Sequence, residues 1–254
     1  MAIVAPTVVR LSRGYVRVAG PDAADFLERM LSNEVRPLGP GEARQALLLT
    51  PKGRIIAPLR VVRESEEGFL LITESELADA VSTALVRARF AAKCEISVVP
   101  LRGYLHLADP GHGVRVEDYG VEAWETWEEA ERDAADPDEL EPLRIDAGTP
   151  AWGKELDENV LPAEAGLEET HISFTKGCYP GQEPVARLHY RGHPNRRLRR
   201  LEVADAKTGD EILLGEKAVG RVTSAVAGKA LGYVRREVPD KAKLSIAGQE
   251  ARLH

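Results

Sequence analysis

The amino-acid sequence predicts an α+β protein with a small all-β barrel at its carboxyl-terminal end. The first hundred residues alternate between segments with strand-like and segments with helix-like spacing of apolar residues. After Arg197 the helical spacing disappears, and short alternating runs are separated by glycines, which is typical of a small barrel. We therefore expect a first domain over residues 1–195 and a barrel domain over residues 196–254.

The elements of the first hundred residues follow an order known from small α+β domains. Pro21 and Asp22 favour the start of a helix directly after the first strand. Strands are predicted at 15–20, 44–50, 54–63, 68–73 and 93–99, and helices at 21–33 and 74–92. This order indicates the split β-α-β-β-α-β arrangement of ferredoxin-like domains and argues against a doubly wound parallel sheet.

The next segment is predicted to add a strand and a helix. Residues 102–109 have the composition of a strand, and the loop PGHG turns the chain. Residues 122–135 are acidic and place Trp124 and Trp127 at a spacing that would put both indoles on one face of a helix. We therefore expect an amphipathic acidic helix here.

A polar segment then carries residues suited to ligand binding. Residues 143–150 are predicted to form a strand, with Arg144 and Asp146 on the same face. Residues 151–167 are rich in turn formers and contain Trp152. Such a segment either lines a cleft for a flat, hydrogen-bonding ligand or forms an ordinary long surface loop. A carboxylate in such a cleft would accept parallel N–H bonds from a heterocycle.

Composition limits the classes of function. With 43% hydrophobic and 30% charged residues, the chain has the composition of a soluble globular protein. The net charge of −7 argues against general nucleic-acid binding. No apolar run approaches the ~20 residues of a membrane helix. The start MAIVAPTVVR has no basic residue before its apolar residues, and Pro6 interrupts the apolar stretch, so a secretory signal is not expected. We expect a cytoplasmic monomer that does not bind membranes.

The segment SFTKGCYPGQEPVAR, residues 173–187, holds one of only two cysteines. The positive charge of Lys176 is expected to favour the thiolate form of Cys178, which is the reactive form. The flanking glycines are expected to leave room for a partner or ligand. The other cysteine, Cys94, lies in a predicted strand and is expected to be a small buried hydrophobe.

A basic segment follows, with six arginines and two histidines between Arg187 and Arg200. This segment is expected to hold either a negatively charged tail of a ligand or the acidic surface of a partner protein. His189 and His193 are four residues apart, which on a helix would suit a metal ion. Because Gly192 and Pro194 disfavour a helix, and because there is no C-x-x-C pair, no metal site is expected.

Most of the chain resembles the folate-binding superfamily of the glycine-cleavage T-protein. The resemblance covers residues 148–187, the stretches VRVAGPDAADFLERMLSNEV and LLTPKGRI, and the barrel. The element K-G-C-Y-x-G-Q-E, at residues 176–183, is similar to the signature of the YgfZ branch. Membership of that branch implies a role in the maturation or repair of iron–sulfur proteins.

The resemblance also implies a ligand and raises two differences from the family pattern. It implies tetrahydrofolate in a central hole, with the pterin bound by a carboxylate at the position of Asp146. Since aspartate is one methylene shorter than the glutamate of the family motif R-x-E-A-G, the contact requires a shifted ligand or a bridging water. T-proteins carry an Asp-Asp pair where this chain has Ala57 and Pro58, which disfavours aminomethyl transfer.

These observations define candidate functions and residues. The leading function is a folate-binding accessory protein that supports assembly or repair of iron–sulfur proteins, with client or assembly proteins as partners. The alternative is a folate-dependent aminomethyl- or methyltransferase, and a third is a binding module without chemistry. The reactive candidates are Cys178 and Lys176. The ligand-binding candidates are Asp146, Arg144, Trp152, Glu164, Tyr179, Glu183 and Arg187.

Three of these residues have two interpretations. Trp152 either stacks on the pterin or fills the core, and the sequence does not favour one over the other. Glu164 and Glu183 either contact the ligand or cap the backbone of their loops, and their place inside the matching segments favours ligand contact.

Overall fold

The computed structural model describes residues 8–130 and 132–254. The expectation about the amino-terminal start of the chain rests mainly on residues 1–7, which lie outside the described part. The chain forms two compact units. The first unit comprises Met1–Val116, Glu122–Pro137 and Glu168–Ala186, and the second comprises Glu117–Val121, Asp138–Leu167 and Arg187–His254.

A five-stranded antiparallel sheet with two helices forms the centre of the first unit. Strand β1 (Val8–Leu11) precedes it and belongs to a second sheet. The elements of the five-stranded sheet and its helices are β2 (Arg13–Ala19), α1 (Ala23–Met30), β3 (Ala43–Leu49), β4 (Ile55–Arg63), β5 (Gly68–Glu74), a 3₁₀ turn (Ser75–Leu77), α2 (Ala78–Ala88) and β6 (Glu95–Val99). The strand order in this sheet is β3-β4-β5-β2-β6. The α+β class and the ferredoxin-like body are thus confirmed, with β3 as an additional edge strand.

The sequence of the central strand β5 shows no alternation. In the sheet β5 lies between β4 and β2, and all residues from Gly68 to Thr73 are buried, so both of its faces are covered. A strand buried on both sides has a continuous apolar run. By contrast, β4 alternates between buried and half-buried residues over most of its length.

A second sheet of the first unit corrects the prediction of a helix at 122–135. Its strands are β1, β7 (Arg102–His106), β8 (Val114–Val116) and β9 (Ala123–Glu128), in the order β1-β7-β9-β8. The helix prediction was wrong because Trp and Thr favour strands and Glu125, which appeared to be a solvent-facing charge, is buried. Glu125 accepts bonds from Arg13 at 3.0 Å and Arg60 at 3.2 Å, so its charge is compensated.

Residues 143–150 also differ from the prediction. They contain most of helix α3 (Glu141–Ala147), which follows a 3₁₀ turn (Pro137–Leu140) and ends at Gly148 with a left-handed φ of 78°. Glycine is the residue that most readily ends a helix in this conformation. Because the segment is helical, the predicted shared face does not form: Arg144 is buried and Asp146 is exposed.

Two further helices lie on either side of the cysteine segment. They are α4 (Glu168–His171) and α5 (Gln182–Arg191). Helix α5 was not predicted from the sequence. His189 does lie on this helix. The helix ends before Gly192, however, so His193 is not part of it. No helix of the described residues is long and apolar enough to cross a membrane.

The carboxyl-terminal barrel is confirmed as a closed structure of six strands. The strands are β10 (Arg196–Val203), β11 (Glu211–Leu214), β12 (Lys217–Val226), β13 (Lys229–Arg235), β14 (Leu244–Ile246) and β15 (Gln249–Leu253). Its core includes Leu201, Ile212, Val222, Val234 and Ile246. The boundary at residue 195 stays a prediction, and the compact second unit joins the barrel to Asp138–Leu167.

Candidate functional site

Between α4 and α5 the cysteine segment is irregular, and this part of it presents Cys178 to solvent. The Cys178 thiol is exposed and forms no hydrogen bond with any described residue. The start of the stretch is fixed to the chain after α1, because the Ser173 amide donates to the Ser32 carbonyl at 2.9 Å. The Ser173 hydroxyl also donates to Glu34 at 3.1 Å. The thiol therefore lies on a segment whose backbone is held in place.

Lys176 is buried and holds this segment against the end of α1. Its ammonium group donates to the carbonyl oxygens of Glu28, Leu31 and Asn33, each at 2.7 Å. It also lies 3.5 Å from the Glu28 carboxylate. Glu28 is in the last turn of α1 and Leu31 is the residue directly after it, and at such a helix end carbonyls lack partners and a positive charge is favourable. Asn33 lies two residues further along the chain. Burial lowers the pKa of Lys176, and the Glu28 carboxylate opposes that effect.

This geometry changes the interpretation of Lys176. An ammonium group has three N–H donors, and backbone carbonyls use all three. No donor remains to hydrogen-bond the Cys178 thiol. The structure thus gives Lys176 a positioning role, and an electrostatic effect of Lys176 on Cys178 stays a prediction.

The two glycines that flank Cys178 have different reasons to be glycine. Gly181 has a φ of +83°, and a Cβ there would lie 2.5 Å from the carbonyl oxygen of Thr50. Only glycine allows this close contact between the segment and the turn at residues 50–53. A Cβ on Gly177 would meet no atom within 4 Å, and its φ is not in the left-handed region. The expected room for a partner therefore exists at Gly177 but not at Gly181.

Tyr179 and Glu183 complete the candidates of this segment. Tyr179 is 7% exposed, and its hydroxyl has no hydrogen-bond partner among the described residues. Burial raises the pKa of Tyr179 to about 12, so the phenol stays neutral at ordinary pH. Its ring lies 5.6 Å from the Lys176 ammonium. Glu183 and Arg187 are exposed on α5.

Asp146 lies at the exposed end of α3 in the second unit. One of its carboxylate oxygens pairs with the Lys229 ammonium, and this hydrogen bond lowers the pKa of Asp146. Arg200 donates to the backbone carbonyl of Asp146 at 2.7 Å. The second carboxylate oxygen of Asp146 makes no hydrogen bond with any described residue.

Arg144 is buried in a network that uses all of its donors. Its Nε and Nη2 atoms donate to Glu141 at 2.9 and 2.7 Å, and its Nη1 atom donates to the Thr149 carbonyl at 2.6 Å. Arg144 also donates to Glu155 at 2.8 Å and to the Ser224 hydroxyl at 2.8 Å. A guanidinium group has five N–H donors. Arg144 therefore has none left for a ligand and fixes α3 to the barrel.

Glu155 is the residue of this unit that sequence reasoning missed. It is 1% exposed and accepts hydrogen bonds from Arg144, from the Ser224 hydroxyl at 2.6 Å and from the Ala151 amide at 3.0 Å. No spacing pattern marks it, since its partners are distant in the chain or in its own turn. The only sequence signal is its place beside Leu156 in a polar segment.

Trp152 and Glu164 have local roles. Trp152 is half-buried and pairs with Leu156 in an isolated parallel bridge. Glu164 accepts from the Leu161 amide at 3.3 Å and from Arg196 at 3.3 Å. These contacts favour the capping interpretation of Glu164 over the ligand-binding one.

The candidates are divided between the two units. Lys176, Cys178, Tyr179 and Glu183 belong to the first unit, and the other candidates are assigned to the second. Among the described residues, no cluster of histidine, cysteine and carboxylate side chains is suited to hold a metal ion.

Two family models match the chain. Residues 12–102 match the GCVT N-terminal domain, and residues 195–254 match the CAF17 C-terminal beta-barrel domain. An uncharacterized protein of Haemophilus influenzae is 29% identical over 229 residues, covering 83% of this chain and 81% of that protein. The tRNA-modifying protein YgfZ of Pectobacterium carotovorum is 26% identical over 271 residues, covering 88% of this chain and 80% of that protein.

A solved structure shows the same fold. The glycine cleavage system aminomethyltransferase T of Bartonella henselae superposes with a TM-score of 0.84, covering 97% of this chain and 84% of that protein. The sequence identity is 19%, so this likeness concerns the fold alone. Together with the K-G-C-Y-x-G-Q-E element, the two matched domains identify the chain as a member of the YgfZ/CAF17 family within the T-protein superfamily.

Proposed function

We propose that this protein is a folate-binding accessory protein that supports the assembly or repair of iron–sulfur proteins, with Cys178 as its reactive residue. The observation that carries this proposal is an exposed thiol on a segment fixed by Lys176 on one side and Gly181 on the other. A thiol that serves only packing would be buried, as Cys94 is. A relative of this chain bears the name tRNA-modifying protein YgfZ. A tRNA modification that depends on an iron–sulfur enzyme would fall within the proposed role.

Tetrahydrofolate is the ligand that the family implies, and the residues of the second unit fit it in part. The Asp146 side chain is 55% exposed, and one of its carboxylate oxygens has no partner in the part of the chain that the structure describes, which suits an N–H group of a pterin. A contact through both oxygens requires the release of Lys229. Half-buried Trp152 has surface left for stacking. Arg144 does not fit, because its donors are all used.

Aminomethyl transfer receives no support from β4. Ala57 is fully buried, and Pro58 has no side-chain group that can hydrogen-bond. The Pro58 carbonyl oxygen instead accepts from the Thr73 hydroxyl at 2.8 Å. Neither residue can stabilise a charged folate nitrogen. The folate is therefore proposed as a bound ligand.

A single thiol restricts how the protein can act on a cluster. Iron–sulfur clusters are held by several ligands, commonly four cysteines. Cys178 is the one exposed cysteine among the described residues. We therefore propose that the protein holds no cluster permanently and acts by contacting client or assembly proteins. We also propose that it is a cytoplasmic monomer.

Folate binding is tested by thermal unfolding with several reduced folates. A ligand that binds only the native state stabilises it by roughly 2.7 kcal/mol at 100 times its dissociation constant. We expect a higher melting temperature with at least one folate and a smaller increase in Asp146→Asn. The proposal of folate binding is wrong if no folate changes the melting temperature at millimolar concentration.

The role of Cys178 is tested separately, in cells that lack this protein. We expect Cys178→Ser to fold and bind folate normally and yet fail to restore the activities of iron–sulfur enzymes. Cys94→Ser is the matched control, and it should restore them at some loss of stability, since it places a hydroxyl in a buried position. Full complementation by Cys178→Ser would reject the thiol chemistry while leaving folate binding intact.

A further inference from the structure

A small cavity of the second unit lies beside Asp146, between the end of α3 and strands of the barrel. Five polar residues line it, and the rest of its lining is apolar. The polar residues are Asp146, Arg200, Glu202, Lys229 and His254. Because a ligand that enters the cavity must satisfy these groups, their charges and hydrogen bonds indicate which ligand it can take.

The charges that line the cavity balance one another. Arg200 and Lys229 are cations, and Asp146 and Glu202 are carboxylates. The Arg200 Nη2 atom lies 3.3 Å from the Nδ1 atom of His254. Since a guanidinium group can only donate, Nδ1 accepts this hydrogen bond and the imidazole is neutral. A balanced lining favours a neutral polar ligand over an anion or a cation.

Asp146 and Arg200 bring an unused acceptor and unused donors to the same cavity. One carboxylate oxygen of Asp146 pairs with Lys229, and the other has no partner among the described residues. Arg200 donates from Nη1 to the Asp146 carbonyl at 2.7 Å and from Nη2 to His254. Two of its five N–H donors are thus used, and the other three bind no described residue.

Arg200 is held in place by its surroundings. Its two hydrogen bonds fix the guanidinium group at both ends. Its stem packs against the end of α3, since a Cβ on Gly148 would lie 3.2 Å from the Arg200 Cδ atom. A planar guanidinium group held in this way presents its remaining donors in fixed directions. The Lys229 ammonium, by contrast, is on a flexible stem, and this side chain is 46% exposed.

An acceptor beside fixed donors matches a ligand edge in which an N–H group lies next to a carbonyl oxygen. Such an edge is that of a cyclic lactam. The 4-oxo pterin ring of a folate has one, formed by N3–H and the oxygen on C4. Guanine and uracil have the same edge. The chemistry of the cavity is therefore that of a lactam site, whichever ring carries the lactam.

We propose that Arg200 determines the specificity of this site for a ligand with a lactam edge. The unused Asp146 oxygen accepts the ring N–H, and Arg200 donates to the neighbouring carbonyl oxygen. This pair of bonds leaves Lys229 on the other Asp146 oxygen. The inference rests on the folate binding proposed above, and it names the part of the pterin that the site recognises.

The test compares folic acid with aminopterin, its 4-amino analogue, by calorimetric titration of the full chain. The two ligands differ at this edge, where aminopterin has an amino group in place of the carbonyl and no N–H at N3. Because this analogue sets donors against the donors of Arg200, we expect it to bind about tenfold more weakly or worse. The preference should disappear in Arg200→Met. Arg235→Met, at an exposed arginine of the same barrel, is the matched control and should keep it.

The ratio of the two affinities separates specificity from folding. If Arg200 only fixes α3 to the barrel, Arg200→Met weakens both ligands equally and the ratio stays at its wild-type value. That result would overturn the proposal. Equal affinity of the wild-type protein for folic acid and aminopterin would also overturn it, while the proposed binding of folate would stand.

Titration with guanosine and uridine distinguishes the sources of a lactam edge. Tighter binding of folic acid than of either nucleoside supports both the lactam site and the proposed folate function. Tighter binding of a nucleoside that is lost in Arg200→Met supports the lactam site and rejects folate as its ligand. Binding of none of these ligands would reject both proposals.

Discussion

The two groups of candidate residues use a buried cation in different ways. In the first unit, Lys176 binds three neutral backbone carbonyls and lies near one carboxylate. In the second unit, Arg144 binds the carboxylates of Glu141 and Glu155 directly. Each buried cation lies two residues before an exposed candidate in the sequence: Lys176 before Cys178, and Arg144 before Asp146. A charged residue next to a candidate reactive group is therefore not necessarily part of the chemistry.

The two cations differ in the groups that would lose their partner if the cation were removed by substitution. Loss of Arg144 leaves a fully buried carboxylate without its charged partner. Loss of Lys176 leaves three neutral backbone carbonyls, buried or partly buried, without their donor. The second unit should therefore depend more strongly on its cation than the first.

The largest effect is expected for Arg144→Leu. Removing one partner of a buried ion pair typically costs about 3–5 kcal/mol, because the remaining charge stays buried. Glu155 would be that charge, since it is 1% exposed. Urea unfolding measures the loss, and Lys154→Ala is the control, because Lys154 binds Glu141 from the surface. Equal small losses in both variants would contradict the importance of the buried network.

A smaller loss is expected for Lys176→Met, about 2–3 kcal/mol, since buried carbonyls lose their donor. Faster amide exchange over residues 168–181 should accompany it. The same variant decides between the two roles of Lys176. A protein of unchanged stability whose Cys178 alone reacts more slowly with iodoacetamide would show that Lys176 acts by its charge, against the positioning role described here.

Gly181→Ala is expected to cost about 1–3 kcal/mol, because it forces a side chain onto a left-handed backbone against the Thr50 carbonyl. Gly177→Ala is the matched control, since it meets open space at an ordinary φ. Thermal unfolding of both variants makes the comparison. If Gly177→Ala is as destabilising as Gly181→Ala, the two glycines do not differ in the way the structure indicates.

The last effect is expected only in acid. The hydrogen bond from Arg144 lowers the pKa of Glu141 from 4.5 to about 2. Since the folded pKa is depressed, this carboxylate stabilises the fold above pH 4.5, and the contribution is lost as the pH falls toward 2. Glu141→Gln should therefore show a shallower loss of stability across this window. An unchanged slope in urea unfolding between these pH values would contradict the prediction.

The sequence by itself determined the class of the fold and the position of the candidate segment around Cys178. Strand and helix periodicities in the first hundred residues are local properties, and so is the alternation of the barrel strands. The K-G-C-Y-x-G-Q-E element is contiguous, so its cysteine was found without any knowledge of the fold.

Only the tertiary structure decided what the neighbouring residues do. In the strand at residues 123–128, distant arginines compensate the buried charge of Glu125, and no local pattern reveals that compensation. Glu155 was missed for the same reason, as its network joins α3 to the barrel. Lys176 was assigned to the thiol because the two are close in sequence, whereas its ammonium binds the end of α1. Burial and hydrogen bonding between distant segments determine which charges are structural, and sequence spacing does not record them.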